Sequence, residues 1–381
     1  MRTRRWLAGV AVLLLACVAA SPRAAAQLTA INITAGSPAD LELQAIGKET
    51  DAAKQKAMYT EFVGKYASDP MAAAYGYSQL AQLAAAGGDN KAALAFGDQA
   101  LAAVPGNLDL YVSQVTFAQN AALNDKVFDY AARGGKLVKS IADAKKPEGM
   151  SDDDFANQKE QMKQSAAPAY EFLENAAYAA VAREKDPKQR LAYVQAFNES
   201  FVESKYEGQL SQVAIWTLQQ LNDAAGAVAY GEMVLAQKPD ELPVLVMMAD
   251  IYADEPKGAN LAKAVQYAQH AVEVAKPEAP DADDARKLSA AIARSALGRA
   301  LMKQNKMAAA AEQLKLAAPA LKSNAQAYST VLFYLANAYS LQKQYAQAKA
   351  VLTEAVAVQG PYQQQARGLL TKVNAEIAKG R

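Results

Sequence analysis

The stretch Ala74 to Gly106, AYGYSQLAQLAAAGGDNKAALAFGDQALAAVPG, decides the fold. From Ala74 to Ala86, helical spacing puts Tyr77, Leu80, Ala81 and Ala84 on one face. Gly87-Gly88-Asp89-Asn90 is turn chemistry. Lys91 to Val104 then puts Ala93, Phe96 and Ala100 on one face of a second helix, which Pro105-Gly106 ends. Helices of about 13 residues are marginal alone in water. They persist by burying these faces against one another and against neighbouring pairs. Ala81, Ala93 and Ala100, separated by 12 and then 7 residues, are small where the helix backbones must approach closely.

The same spacing returns at Gly298, Ala310 and Ala317, and again at Ala336, Ala348 and Ala355. Ile215, Ala227 and Val234 repeat it with two larger members. Recurrence in a unit of roughly 34 residues marks an array of helix-turn-helix repeats. Alanine, leucine, glutamine, lysine and glutamate dominate after Gln27 and no long alternating β-branched run appears. The expected fold is therefore all-α, an α-α superhelical solenoid closed by a C-terminal capping helix. Such a chain works through its surface rather than through a catalytic pocket.

The pattern resembles the tetratricopeptide repeat (TPR). Leu332, Leu335-Ala336, Tyr339, Tyr345, Ala348, Leu352, Ala355 and Pro361 carry the resemblance best. Leu297-Gly298, Leu301, Ala310, Leu314 and Ala317 follow. Ala214-Ile215, Leu218, Ala227, Val234 and Pro239 form a third match, and Ala249, Tyr252, Ala264 and Ala271 a fourth if the turn takes three extra residues around Glu255 to Gly258. Degenerate units are expected at Ala39 to Pro70, at residues 108–140 (Tyr111, Ala118, Phe128, Tyr130) and at residues 169–203 (Ala180, Ala192, Glu199). Tyr59, Phe62, Tyr66 and Pro70 are similar to the first repeat of envelope-assembly TPR proteins, including outer-membrane biogenesis factors.

The N-terminus reads as an export signal. Arg2, Arg4 and Arg5 precede an apolar run from Leu7 to Ala20, and Ala24-Ala25-Ala26 offers a cleavage site before Gln27. Leu14-Leu15-Ala16-Cys17 is similar to a lipobox, so a lipid anchor at Cys17 is the minor alternative; a plain apolar role for Cys17 is the third. Cleavage before Gln27 removes the one cysteine, leaving a chain held by packing alone. It also removes Arg2, Arg4, Arg5 and Arg23 and no acid, lowering the formal charge of +1 by four. A near-neutral chain with mixed signs is not a nucleic-acid binder. The expected organisation is a signal peptide over 1–26, N-terminal repeats over 27–140, a polar loop and helix insertion over 141–168, central repeats over 169–277, C-terminal repeats over 278–362 and a capping helix and tail over 363–381. The expected location is the periplasm or cell envelope.

No catalytic constellation, metal set or cofactor motif stands out. His270 is the lone histidine, beside the packing residue Ala271, and has no cysteine or second histidine to join. No glycine-rich phosphate loop with a following lysine occurs. Asp152-Asp153-Asp154 and Asp281, Asp283 and Asp284 lack the alternation, glycine and distal glutamate of an EF-hand and read as helix-starting acids. The glycines Gly87-Gly88 and Gly134-Gly135 read as turns. The sequons Asn32-Ile33-Thr34 and Asn198-Glu199-Ser200 carry no weight in a bacterial-looking chain.

The TPR resemblance implies a concave groove lined by the first helix of each pair. The residue after the small packing residue points there, with the one four before it and those a turn further on. These positions hold Gln82, Gln212, Trp216, Gln219, Asp250, Arg299, Lys303, Phe333 and Asn337. Trp216 is the sharpest anchor, its alternative being packing on a neighbouring helix. The clamp that some TPRs build for a free carboxylate needs a lysine four residues before the asparagine. Asn337 has Phe333 there, and Arg299 has Ser295. The expectation is a non-enzymatic scaffold that binds a protein or peptide partner in the groove, with envelope polysaccharide or solute binding in the same groove as the alternative.

Overall fold

A computed structural model describes residues 28–254 and 259–380. The export signal, Cys17 and the Glu255 to Gly258 turn lie outside the described residues. Seventeen helices and no strand occur among the described residues. The chain divides into two compact units, one ending at Ala177 and the other beginning at Tyr178.

The first unit contains α1 (Pro38–Ile46), α2 (Ala52–Lys65), α3 (Pro70–Ala86), α4 (Asn90–Ala103), α5 (Leu108–Asn120) and α6 (Asn124–Lys139). Residues 141–151 form turns and loop, and α7 (Asp152–Arg183) then runs unbroken past Pro168 and across the division between units. The second unit adds α8 (Pro187–Ser200), α9 (Glu207–Gln220), α10 (Ala224–Gln237), α11 (Leu242–Asp254), α12 (Ala259–Ala275), α13 (Asp284–Lys303), α14 (Met307–Leu321), α15 (Ala325–Leu341), α16 (Tyr345–Ala357) and α17 (Gln363–Ala378).

Polar side chains start most of these helices. Ser37, Asp51, Asp69, Asp89, Asn107, Asp186, Asp223, Asp283 and Asn324 each accept from a backbone N–H of the first turn. These groups satisfy donors that a helix start leaves unpaired. The turn inside five of the hairpins also repeats. Gly88, Ala122, Asn222, Asn305 and Lys343 all adopt positive φ, between 54° and 80°. The next residue donates its N–H five residues back, from Asp89 to Ala84, Leu123 to Ala118, Asp223 to Leu218, Lys306 to Leu301 and Gln344 to Tyr339, at 2.9–3.0 Å. This is the Schellman closure of a helix end. At Asp89 and Asp223 the same residue then caps the second helix.

The small-residue crossings are tightly closed. Ala81, Ala93 and Ala100 are buried, as are Ala310, Ala317, Ala336, Ala348 and Ala355. A Cβ at Gly298 would sit 2.5 Å from Leu314 Cγ. In the second unit α9 packs on α11, α11 on α13, α13 on α15 and α15 on α17, besides packing within each hairpin. First helices thus line one inner face, which is the TPR arrangement, and a single core of buried side chains runs from Ile215 to Val373. Helix α17 packs against α16 and α15, with one face wet.

Two of the three degenerate units differ from the sequence reading. The positive-φ residue Ala122 sets the register of the α5–α6 hairpin and places Val115, Val127 and Gly134 at the three crossing points; all are buried. Gly134-Gly135 is therefore not a turn. It lies inside α6, and a Cβ on Gly134 would meet Leu173 Cδ1 at 2.6 Å. In α8, Ala192 and Glu199 are exposed. The Asp186 cap puts Arg190 and Phe197 at the crossing points instead. Both are large, which hides the pattern. Arg190 is buried, with its donors on Glu184 O, Thr217 Oγ1 and Gln220 Oε1.

Glu232 ties three helices together. It accepts from Tyr252 at 2.6 Å, Tyr267 at 2.8 Å and Lys263 at 2.9 Å. Burial raises its carboxyl, but these three donors outweigh that and hold it below the usual range.

Gly134→Leu overpacks the crossing and lowers the melting temperature by the equivalent of about 1–3 kcal/mol. Gly64→Ala, in a helix with nothing within 4 Å of the added carbon, raises it. Circular-dichroism melts read both. For Glu232→Gln, the folded carboxyl's depressed pKa means its stabilisation is present above the usual carboxylate range and is lost as pH falls through the depressed value. The variant should melt a few degrees below wild type at neutral pH, the scale of about 1 kcal/mol in a domain this size. The gap should narrow on acidification.

Candidate partner-binding groove

The inner face of the second unit carries two adjoining cavities that share Ile292. The first, of 480 Å³, takes Gln212 from α9, Glu241 from just before α11 and Val246 from within it. The second, of 440 Å³, takes Asp250 and Asp254 from α11, Ser295 and Arg299 from α13, Thr330 from α15 and Tyr362 from just before α17. Helical periodicity explains the selection. Val246, Asp250 and Asp254 are four apart, as are Ser295 and Arg299, so each set shares one face of its helix.

Arg299 organises the second cavity. Its side chain is 8 % exposed, and its two terminal nitrogens pair with Asp250 and Asp254, whose side chains are 54 % and 70 % exposed. The planar guanidinium fork suits two carboxylates at once. Desolvation by the walls of the cavity raises the Asp250 carboxyl, and the Asp254 charge adds to this; Arg299 pulls the other way without cancelling it. The exposed faces of both acids remain open to water, so the pair is not a dry ion pair.

The sequence-selected residues separate into four groups. Gln212, Asp250 and Arg299 line the cavities. Trp216, Gln219 and Lys303 line neither cavity. Trp216 is 49 % exposed, and the Arg190 guanidinium lies 5.1 Å from its ring centroid. Packing on a neighbouring helix and exposure are thus both present at this side chain. Gln219 is exposed on the last turn of α9. Lys303 donates to the carbonyls of Ala253 and Asp254 at 2.7 and 2.8 Å, closing the end of α11. Phe333 and Asn337 are half-buried on α15. The Tyr362 ring stacks on Phe333 at 4.8 Å and 7°, so Tyr362 presents the surface that Phe333 was expected to present. Tyr334 and Tyr362 hydroxyls meet at 3.2 Å. Gln82 belongs to the first unit, where it is exposed beside a 10 Å³ cavity containing Gln114.

Sequence reasoning missed Asp254, Ile292, Thr330 and Tyr362. Asp254 follows Asp250 by one turn and was within reach of the same rule. Tyr362 lies outside any first helix, so the rule had no position for it. His270 Nε2 sits 2.7 Å from Asp240 and is away from these cavities. Asp283 caps α13, Asp152 pairs with Lys146 and Asp154 bonds Ser151. No group of three metal-capable side chains occurs among the described residues.

No family model matches the chain, and no curated protein matches it. Solved structures do. The APC/C hetero-tetramer Cut9-Hcn1 is similar at 16 % identity over 84 % of this chain, with a TM-score of 0.42; this chain spans 59 % of that one. Yeast Tom70 is similar at 12 % identity, covering 93 % of this chain and 67 % of that one, TM-score 0.41. The P58(IPK) TPR domain is similar at 14 % identity, covering 91 % and 99 %, TM-score 0.33. The assignment of this chain to an all-α, TPR-like repeat architecture stands on its own crossings, turns and helix order.

Proposed function

We propose that the protein is a non-enzymatic scaffold of the bacterial cell envelope that holds an extended segment of a protein partner along the inner groove of its second unit. The observation that carries this reading is the pair of adjoining cavities, 480 and 440 Å³, running across α9, α11, α13 and α15. Their walls mix carboxylates, a guanidinium, two ammonium groups, hydroxyls, amides and an aromatic ring. Such a surface can hydrogen-bond a peptide backbone and still seat side chains. Export is supported by the charged, apolar and small-residue order of residues 1–26, with Cys17 as the site of an anchor in the minor reading.

The test is site-specific photocrosslinking of the full chain in its own cells. A photoreactive residue replaces Thr330 or Gln212 in the groove, or exposed Gln347 on the outer helix α16. Protein adducts from the two groove positions, and few from Gln347, are expected. Equal labelling from all three positions, or labelling from Gln347 alone, contradicts the groove assignment.

A further inference from the structure

We infer that Gly360 is the positioning residue of the second cavity: lying against Ser329 of α15, it seats the Tyr362 ring on Phe333 and makes the segment before α17 a wall of the groove. What that wall helps to bind rests on the groove reading; where the wall stands does not.

Close approach requires the glycine. A Cβ on Gly360 would sit 2.3 Å from the Ser329 Cβ, 2.5 Å from its Oγ and 3.2 Å from the Ala325 carbonyl oxygen. The Ser329 Cβ and the carbonyl cannot swing aside, since both are fixed to the backbone of α15. Turn geometry does not explain the residue. The glycines with positive φ among the described residues are Gly36, Gly88, Gly149 and Gly380, and Gly360 is not one of them. Other residues could adopt its backbone angles, but only a residue without a side chain can lie this close to the helix.

The contact sets a register along α15. Ser329 and Phe333 are four residues apart on one face, a rise of about 6 Å. The two residues from Gly360 to Tyr362 can reach about 7 Å at most. Gly360 on Ser329 therefore brings Tyr362 to Phe333, where the rings stack at 4.8 Å and 7°. Tyr334 meets the Tyr362 ring edge-on at 5.4 Å and 70°. The far side of the seat is tied down as well. Gln363 Nε2 donates to the Val356 carbonyl at 2.8 Å, and the Ala366 N–H donates to the Tyr362 carbonyl at 2.8 Å. Pro361 and Tyr362 both line the second cavity, and neither lines the first. A shift of Tyr362 thus alters one cavity and spares the other.

The test is hydroxyl-radical footprinting of the full chain, read residue by residue by mass spectrometry. Gly360→Ala should raise oxidation of Phe333 several-fold and leave Tyr345, at the other end of α16, unchanged. Adding Ser329→Gly makes room for the methyl group and should return Phe333 to its wild-type level. The Ser329 hydroxyl has no hydrogen-bond partner among the protein atoms, so its removal breaks no bond. Tyr362→Ala, which needs no extra space, should also expose Phe333 and guards against loss of fold in the first variant. In cells, photocrosslinking from Thr330 should fall in Gly360→Ala and in Tyr362→Ala and recover with Ser329→Gly, while crosslinking from Gln212 persists in all of them. Unchanged oxidation of Phe333, a rise that Ser329→Gly does not reverse, or an equal rise at Tyr345 overturns the positioning role. Adducts from Thr330 that stay constant while Phe333 is exposed overturn the wall's part in binding. If wild type gives adducts from neither Thr330 nor Gln212, the groove reading fails and the wall's part in binding fails with it, while the footprint still decides where Tyr362 sits.

Discussion

The close approach of one helix backbone to the next is the constraint on which everything else here depends. Helices of 13 to 17 residues, such as α3, α4, α15 and α16, have little stability alone. Their apolar faces must meet, and at Ala81, Ala93, Ala100, Gly298, Ala310, Ala317, Ala336, Ala348 and Ala355 there is room for little more than a methyl group. The same approach aligns the first helices of the second unit along one face. It thereby sets Asp250 and Asp254 opposite Arg299 and creates the cavities between them. The alanines hold the surface in place and contribute nothing to what that surface recognises.

Much of the architecture was legible because small residues announce a crossing. The helix pairs at 74–104, 291–320 and 325–357 could be read from spacing alone. The α5–α6 and α7–α8 pairs could not, for opposite reasons. In α6 the crossing residue is Gly134, and glycine beside glycine reads as a turn until the neighbouring helix is seen to require it. In α8 the crossing residues are Arg190 and Phe197, whose size conceals the position. The hairpin turn gave an uneven signal as well. Its left-handed residue is Gly88, Asn222 or Asn305 in three hairpins, which suits that conformation, but Ala122 and Lys343 in two others, where the strain of roughly 1 kcal/mol is carried by the closure around it.

The groove was legible to the depth of one rule. Counting from each crossing residue finds Gln212, Asp250 and Arg299, because helical periodicity alone determines the face they share. It does not find what another element lays over that face. Arg190 reaches from α8 to the Trp216 ring, and Tyr362 from the segment before α17 covers Phe333. Asp254 lies one turn beyond Asp250 on the same face of α11, where the same count carried one turn further reaches it. A sequence pattern therefore identifies the wall of such a groove more readily than its floor or rim.

The most direct measurement of the central claim is the melting temperature of Ala348→Trp. Ala348 is fully buried at the crossing of α15 and α16, with no space beside it for an indole. If close backbone approach holds the array, the variant melts below wild type, with the overpacking penalty of about 1–3 kcal/mol. A melting temperature equal to or above that of wild type would mean that the crossing is not tight and that the register built upon it is wrong.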